Sequence, residues 1–213
     1  SLAMSVTINW IHHASFRITG AGRVIYIDPW KLPGAPGDAD IVLVSHDHFD
    51  HCSIEDIEKV SGAQTVLVAP VDVVSKLGFG QIIAPGEELR IDETTIQAVS
   101  AYNISKDFHP KANGWIGAVI GLDGKRIYYA GDTDLTDEMT ALTSIDLALM
   151  PVGGTYTLDA AEAARACDEI SPEAALPYHW GDIVGSLGDA ELFADSATCK
   201  AHVLQPGGSL ELQ

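Results

Sequence analysis

The chain has 213 residues, 46% of them hydrophobic, with a mean hydropathy of +0.13, enough to bury a core and within the range of one domain, expected over residues 4–213. A formal net charge of -18 and a pI near 4.5 argue against a nucleic-acid partner, because no basic patch offsets the repulsion of a phosphate backbone. No apolar run approaches the roughly 18 residues of a membrane span, and Cys52, Cys167 and Cys199 lack C-x-x-C spacing, which fits a reducing, cytoplasmic setting better than a disulfide framework.

Ser1-Leu2-Ala3 ahead of Met4 reads as a cloning remnant. β-Branched, apolar runs at Val6 to Ile11, Ser15 to Thr19 and Arg23 to Asp28 predict a meander, with Gly20-Ala21-Gly22 turning between the last two. A Pro/Gly-rich loop opens at Asp28-Pro29-Trp30 and runs through Gly37. Ile41 to Ser45 then forms a continuous apolar run of the kind that is buried on both faces of a sheet, and it ends at His46.

Ser53 followed three residues later by Asp56 resembles a capping box, and Ile54, Ile57 and Val60 carry helical spacing. Gln64 to Ala69 predicts a strand, Pro70 to Leu77 a short helix stopped by Gly78, and Gln81 to Ala84 another strand. From Glu87 to Ser100 the period returns to two, and strands at Trp115 to Ile120 and Arg126 to Ala130 flank the Asp123-Gly124 turn. Ile145 to Pro151 is again a buried strand type. Thr157 is placed as N-cap of the Ala-rich helix Leu158 to Ile170. Ala174 to Tyr178 predicts a strand ending at His179, followed by a helix near Asp189 to Ala197 and short segments at Ala201 to Leu204 and Ser209 to Leu212. Two meander-plus-βα halves imply two packed sheets with helices outside.

His46-Asp47-His48-Phe49-Asp50-His51 forms an H-x-H-x-D-H array where a buried strand turns into a helix. Imidazole and carboxylate suit zinc, manganese or iron, and residues i and i+2 of an extended segment point the same way, so His46 and His48 can grip one ion. Asp50 and His51 can turn toward a second, and the remaining ligands must come from other strand ends.

The array, together with Trp10 and His13-Ala14-Ser15-Phe16, Asp28-Pro29-Trp30, Gly131-Asp132-Thr133, Pro151-Val152-Gly153-Gly154 and Pro177-Tyr178-His179, resembles the metallo-β-lactamase superfamily over nearly the whole chain. Within it the sequence is similar to the compact branch of metal-dependent hydrolases that includes ascorbate-phosphate lactonase. The resemblance implies an α/β fold, a four-layer αβ/βα sandwich of two mixed sheets with helices outside. It implies that His46, His48 and His109 hold one divalent ion, that Asp50, His51 and His179 hold another, and that Asp132 bridges them. Zinc is the expected metal, with manganese and iron as alternatives. Asp50 and Asp132 are also expected to serve the reaction. His13 matches a position near the metal pocket, supporting the ligands or facing the substrate.

A hydroxide shared by two such ions would attack an ester-type bond of a small molecule: a lactone or phosphate ester, with an amide as a further option. His13 and Tyr156 are weak candidates for a general acid, and Lys106 and Lys111, flanking His109, could meet an anionic substrate or remain solvated loop lysines. His12 and His202 read as structural and Cys52 as packing. An iron-dependent oxidoreductase on the same fold is the main alternative, although such enzymes usually carry Glu where His48 stands and add a flavin domain. A nuclease is disfavoured by the acidic balance, and an idle scaffold by seven occupied ligand positions. Oligomeric state is open, a homo-oligomer included.

Overall fold

The computed structural model describes residues 5–213, so the expected remnant at residues 1–3 lies outside the described residues. Two seven-stranded mixed sheets face each other. The first begins with the meander β1 (Val6–His12), β2 (Ser15–Gly20) and β3 (Arg23–Ile27), continues in parallel through β4 (Ala39–Leu43), β5 (Ser61–Ala69) and β6 (Gln81–Ile82), and gains β14 (Ser209–Leu212) at its other edge. The second runs in the order β13 (Lys200–Ala201), β12 (Ala174–Tyr178), β11 (Leu147–Pro151), β10 (Lys125–Tyr129), β9 (Ile116–Leu122), β8 (Thr94–Ser100) and β7 (Glu88–Ile91). The strand expected from Trp115 thus starts one residue later.

The continuous apolar runs arise from burial on both faces. Ile25, Ile27, Ile41, Leu43 and Val68 turn inward to the core shared by the two sheets. Their neighbours Tyr26, Val42, Leu67 and Ala69 turn outward, under Ile57 and Val60 of α1 (Ile54–Val60) and Val73 of α2 (Val71–Leu77). On the second sheet the small residues Ala160, Ala163, Ala164 and Ala166 and the larger Ile170 form the buried face of α4 (Ala160–Ile170), beside α5 (Leu187–Ser196). Helices therefore lie outside both sheets.

Several local signals fold as read. Ser53 caps α1 by accepting from the Asp56 amide, and Gly78 ends α2 in the left-handed region. The cap of α4 differs from expectation: Asp159 occupies it, in a reciprocal capping box with Glu162. Thr157 is buried and spends its hydroxyl on the Leu158 carbonyl, while the Leu158 amide donates to Thr133, so this segment is tied to the site loop and the helix starts later. α3 (Asp137–Thr140) and a 3₁₀ turn at Lys111–Asn113 were not predicted; both are too short for a periodic pattern.

Asp56 joins α1 to the Pro/Gly-rich loop, accepting from the backbone amides of Lys31 (2.9 Å) and Leu32 (3.0 Å) and from the Ser53 hydroxyl (2.7 Å). Burial opposes its charge, but these donors outweigh burial and hold its pKa below the ordinary 3.8. A carboxyl depressed in the folded state contributes stability that is present above its unfolded pKa and lost as the pH falls through the folded value. Asp56→Asn should therefore flatten the decline in stability on acidification below about pH 4. Urea unfolding between pH 3 and 5 measures this, and equal slopes for the two proteins would refute it.

Candidate metal centre

The donor residues converge on one edge of the sandwich. His46 to His51 follow β4, His109 lies in the loop between β8 and β9, Asp132 follows β10, His179 follows β12, and His13 sits in the turn between β1 and β2. Parallel strands deliver their C-terminal ends to a common edge, which is why residues more than a hundred positions apart meet there. His13 (φ 51°), Asp28 (φ 44°) and His179 (φ 64°) all hold left-handed backbone, a costly conformation in non-glycine residues that clusters at this site. Gly131 at φ 75° precedes Asp132, where a Cβ would lie 2.8 Å from the Ile116 carbonyl oxygen, so only glycine lets the chain turn there.

Two groups of donors form. The ligating atoms of His46, His48 and His109 lie within 4.8 Å of one another, as do those of His13, Asp50, His51 and His179. Asp132 Oδ2 stands between the groups, 3.6 Å from His46 Nε2 and 3.3 Å from His109 Nε2 on one side, 3.2 Å from His51 Nε2 and 3.3 Å from His179 Nε2 on the other. The two triads and the central carboxylate read from the resemblance are thus brought together, and His13 joins the second group. It is fully buried, with Nε2 2.8 Å from Asp50 Oδ2, and is not among the residues that line the cavity.

Residues that the resemblance did not assign set the imidazole tautomers. Asp28, buried, accepts from the Ser45 amide (2.8 Å), the Ser45 hydroxyl (2.6 Å), His51 Nδ1 (2.7 Å) and the Tyr129 hydroxyl (2.6 Å). With its proton committed to Asp28, the Ser45 hydroxyl is left to accept from His46 Nδ1 at 2.8 Å. Asn103 Oδ1 accepts from the amide and Nδ1 of His109, at 3.0 and 2.9 Å. In each case the Nδ1 proton is anchored and Nε2 is turned into the cluster, the arrangement that orients metal-binding histidines. The sequence placed Asp28 and Ser45 at strand ends and gave Asn103 no reading, and none of the three was assigned this part, since a supporting contact leaves no spacing of its own.

The donor set fits divalent metal ions. His46, His51, His109 and His179 each present a buried Nε2 without a hydrogen-bond partner, and Asp132 a buried Oδ1 likewise. Buried polar atoms are rarely left so unless they serve a ligand. Histidine nitrogen and carboxylate oxygen are the donors that zinc, manganese and iron accept. A third grouping, Asp28 with His46 and His51, is a supporting arrangement, because Asp28 is already saturated by its four donors. Burial resists charge on Asp132, yet His179 and His51 outweigh it and hold the carboxyl well below the usual carboxylate range. Asp50 is held low in the same sense, with burial outweighed by the nearby His51 and by the hydrogen bond from His13. Burial and the neighbouring imidazoles lower the pKa of His46 well below its ordinary 6.5.

Lys106 and Lys111 are each paired with a carboxylate. Lys106 Nζ donates to Asp134 (2.6 Å) and to the Thr157 carbonyl (2.9 Å), and Lys111 Nζ to Glu138 (3.2 Å). Among the described residues no helix is long and apolar enough to cross a membrane.

Two facing mixed sheets flanked by helices, with a His/Asp cluster at one edge, define a metallo-β-lactamase fold. The chain belongs to the β-lactamase superfamily, whose domain model matches residues 7–179, and within it to the UPF0173 metal-dependent hydrolases. It is 34% identical to the UPF0173 metal-dependent hydrolase of Thermococcus onnurineus, over 97% of this chain and 100% of the relative. The crystal structure of a Parabacteroides distasonis protein superposes with a TM-score of 0.84 at 32% identity, over 95% of each chain. Igni18, a metallo hydrolase from Ignicoccus hospitalis, superposes with a TM-score of 0.81 at 25% identity, over 98% of this chain and 99% of its own.

Proposed function

We propose that this metal-dependent hydrolase cleaves an ester-type bond of a small molecule at a centre of two divalent ions. His46, His48 and His109 hold one ion, Asp50, His51 and His179 the other, and Asp132 both. The observation that carries this reading is the position of Asp132 Oδ2, within 3.6 Å of imidazoles from both groups. When bound, two such ions supply an acidified water as nucleophile and positive charge to polarise the scissile group.

The protein's own part is positioning. Asp28, Ser45 and Asn103 fix the ring orientations of His51, His46 and His109, and His13 holds one oxygen of Asp50, leaving its other oxygen to meet a ligand. Tyr156 lines the cavity with Asp50 and Asp132 and is the one phenol placed to donate a proton to a leaving group. Zinc is the favoured metal, with manganese or iron as alternatives, and a reducing cytoplasm the favoured setting.

Protein loaded with zinc, manganese or iron, and protein stripped by a chelator, should be assayed against lactones, carboxylic esters, phosphomonoesters and phosphodiesters. Hydrolysis of at least one class by loaded protein, lost on stripping and regained on metal return, is expected. Inactivity towards the whole panel together with metal-dependent oxygen uptake would replace this reading with an oxidoreductase.

A further inference from the structure

The cavity over the cluster has a volume of about 290 Å³, at the small end for a ligand pocket, and two chemically distinct zones. Its floor is made of His48, Asp50, His109, Asp132 and His179, all donors of the candidate centre. Its walls are Phe49, Phe108, Tyr156 and Ile183. Phe49, Phe108 and Ile183 are 70%, 45% and 48% exposed, although each is large and apolar. Single exposed apolar side chains need no explanation, but several gathered from separate loops around one reactive floor form a recognition surface. Ring packing orders the wall: Phe108 meets Tyr156 edge-on at 4.6 Å, and Phe49 meets Trp30 edge-on at 5.8 Å.

Beyond the floor, where bound ions would meet the scissile group, the wall offers an anionic arm no cation of its own. Among the described residues no lysine or arginine lines the cavity. Lys106, in the loop that carries His109, is paired with Asp134 at 2.6 Å and lies outside the lining. Recognition of phosphate or carboxylate ordinarily uses guanidinium or ammonium donors, and the net charge of -18 adds a field that repels anions.

We propose that the substrate is an uncharged carboxylic ester or lactone whose aromatic or alkyl arm is held by Phe49, Phe108, Tyr156 and Ile183 while its carbonyl reaches the cluster. This rests on the hydrolase reading and narrows it from ester-type bonds in general to neutral acyl compounds. The reaction is a simple hydrolysis: the bond from carbonyl carbon to ester oxygen breaks and one from that carbon to the oxygen of water forms. One proton of the water ends on the leaving oxygen and the other passes to solvent, giving an alcohol and a carboxylate.

The test compares 4-nitrophenyl hexanoate with mono-4-nitrophenyl adipate, which share a leaving group and chain length and differ by a terminal carboxylate, alongside bis(4-nitrophenyl) phosphate. Metal-loaded protein should show a kcat/KM for the hexanoate at least about 30-fold above that for the adipate, because the wall would have to desolvate a charge. Ile183→Lys and Phe108→Lys, at exposed positions that should leave the circular dichroism unchanged, should each shift that ratio about tenfold toward the adipate. As a readout independent of turnover, calorimetric binding of the neutral lactam 5-phenylpyrrolidin-2-one should weaken about five- to tenfold in Phe108→Ala. An equal or inverted ratio in the parent protein, or turnover of the phosphodiester with neither acyl ester cleaved, overturns this proposal and leaves the hydrolase reading standing. Failure of loaded protein to cleave any ester, lactone or phosphate removes the hydrolase reading itself.

Discussion

Asp132→Asn should reduce kcat/KM by on the order of 10³-fold or more, beyond the 10–100-fold typical when an outer partner of a metal ligand is lost. Oδ2 of Asp132 is the carboxylate oxygen that meets imidazoles of both donor groups, at 3.2 to 3.6 Å. The amide keeps the shape and removes the negative charge that would offset two dications, so the metal content per chain should fall together with activity. Elemental analysis of the purified variant and steady-state kinetics at saturating metal read the two effects separately. Circular dichroism should stay near that of the parent, since the substituted atoms face the cluster while Gly131 and Thr133, which shape the turn, are retained. Parental activity with full metal occupancy would remove Asp132 from the centre.

Asp28 gives the second large effect, and here stability and activity should fall together. Its buried carboxylate satisfies the Ser45 amide and hydroxyl, His51 Nδ1 and the Tyr129 hydroxyl. Asp28→Ala leaves these donors without an acceptor in a region closed to water, at a cost of about 3–5 kcal/mol. In a chain of this size that corresponds to a fall in Tm of roughly 6–20 °C. Asp28→Asn is the informative partner. It retains one carbonyl oxygen, but its amide nitrogen turns a donor toward groups that themselves donate, so His51 loses the acceptor that holds its tautomer. Metal affinity should drop about 10–100-fold in that variant, measured by competition with a chromophoric chelator, even where the fold survives. An affinity equal to the parent's would show that His51 is oriented by something else.

The two donor groups were unequally legible. The H-x-H-x-D-H array is local, so its spacing alone implied a metal loop after a buried strand; helix α1 follows it as expected, while β4 (Ala39–Leu43) begins and ends two residues before the expected Ile41 to Ser45. His109, Asp132 and His179 carry no local signal. Each is a single polar residue beyond a strand or in a loop, and only the resemblance assigned them; the structure brings them to the same edge because β10 and β12 are parallel and β8 and β9 share their sheet. His13 was left between supporting a ligand and facing the substrate; the structure buries it against Asp50, at 2.8 Å, a contact between loops that the sequence could not show. Lys106 and Lys111 looked available beside His109, but Asp134 and Glu138, distant in sequence, claim them.

Strand and helix positions followed from period and punctuation, since alternation, apolar runs and Gly, Ser or Asp at the ends act through near neighbours along the chain. The misplaced cap at Thr157 had a non-local cause: the Leu158 amide donates to Thr133, a contact between loops that no window of sequence contains. The amino-acid order by itself determined which residue types were present in ligating number, where the metal loop begins, and that the chain alternates between meanders and βα units. The tertiary structure decided what those residues face. Packing the sheets placed Asp28 under His51, Asn103 under His109, and Phe49, Phe108, Ile183 and the phenol of Tyr156 around the floor, because contacts across loops depend on how the sheets close and leave no period in the sequence.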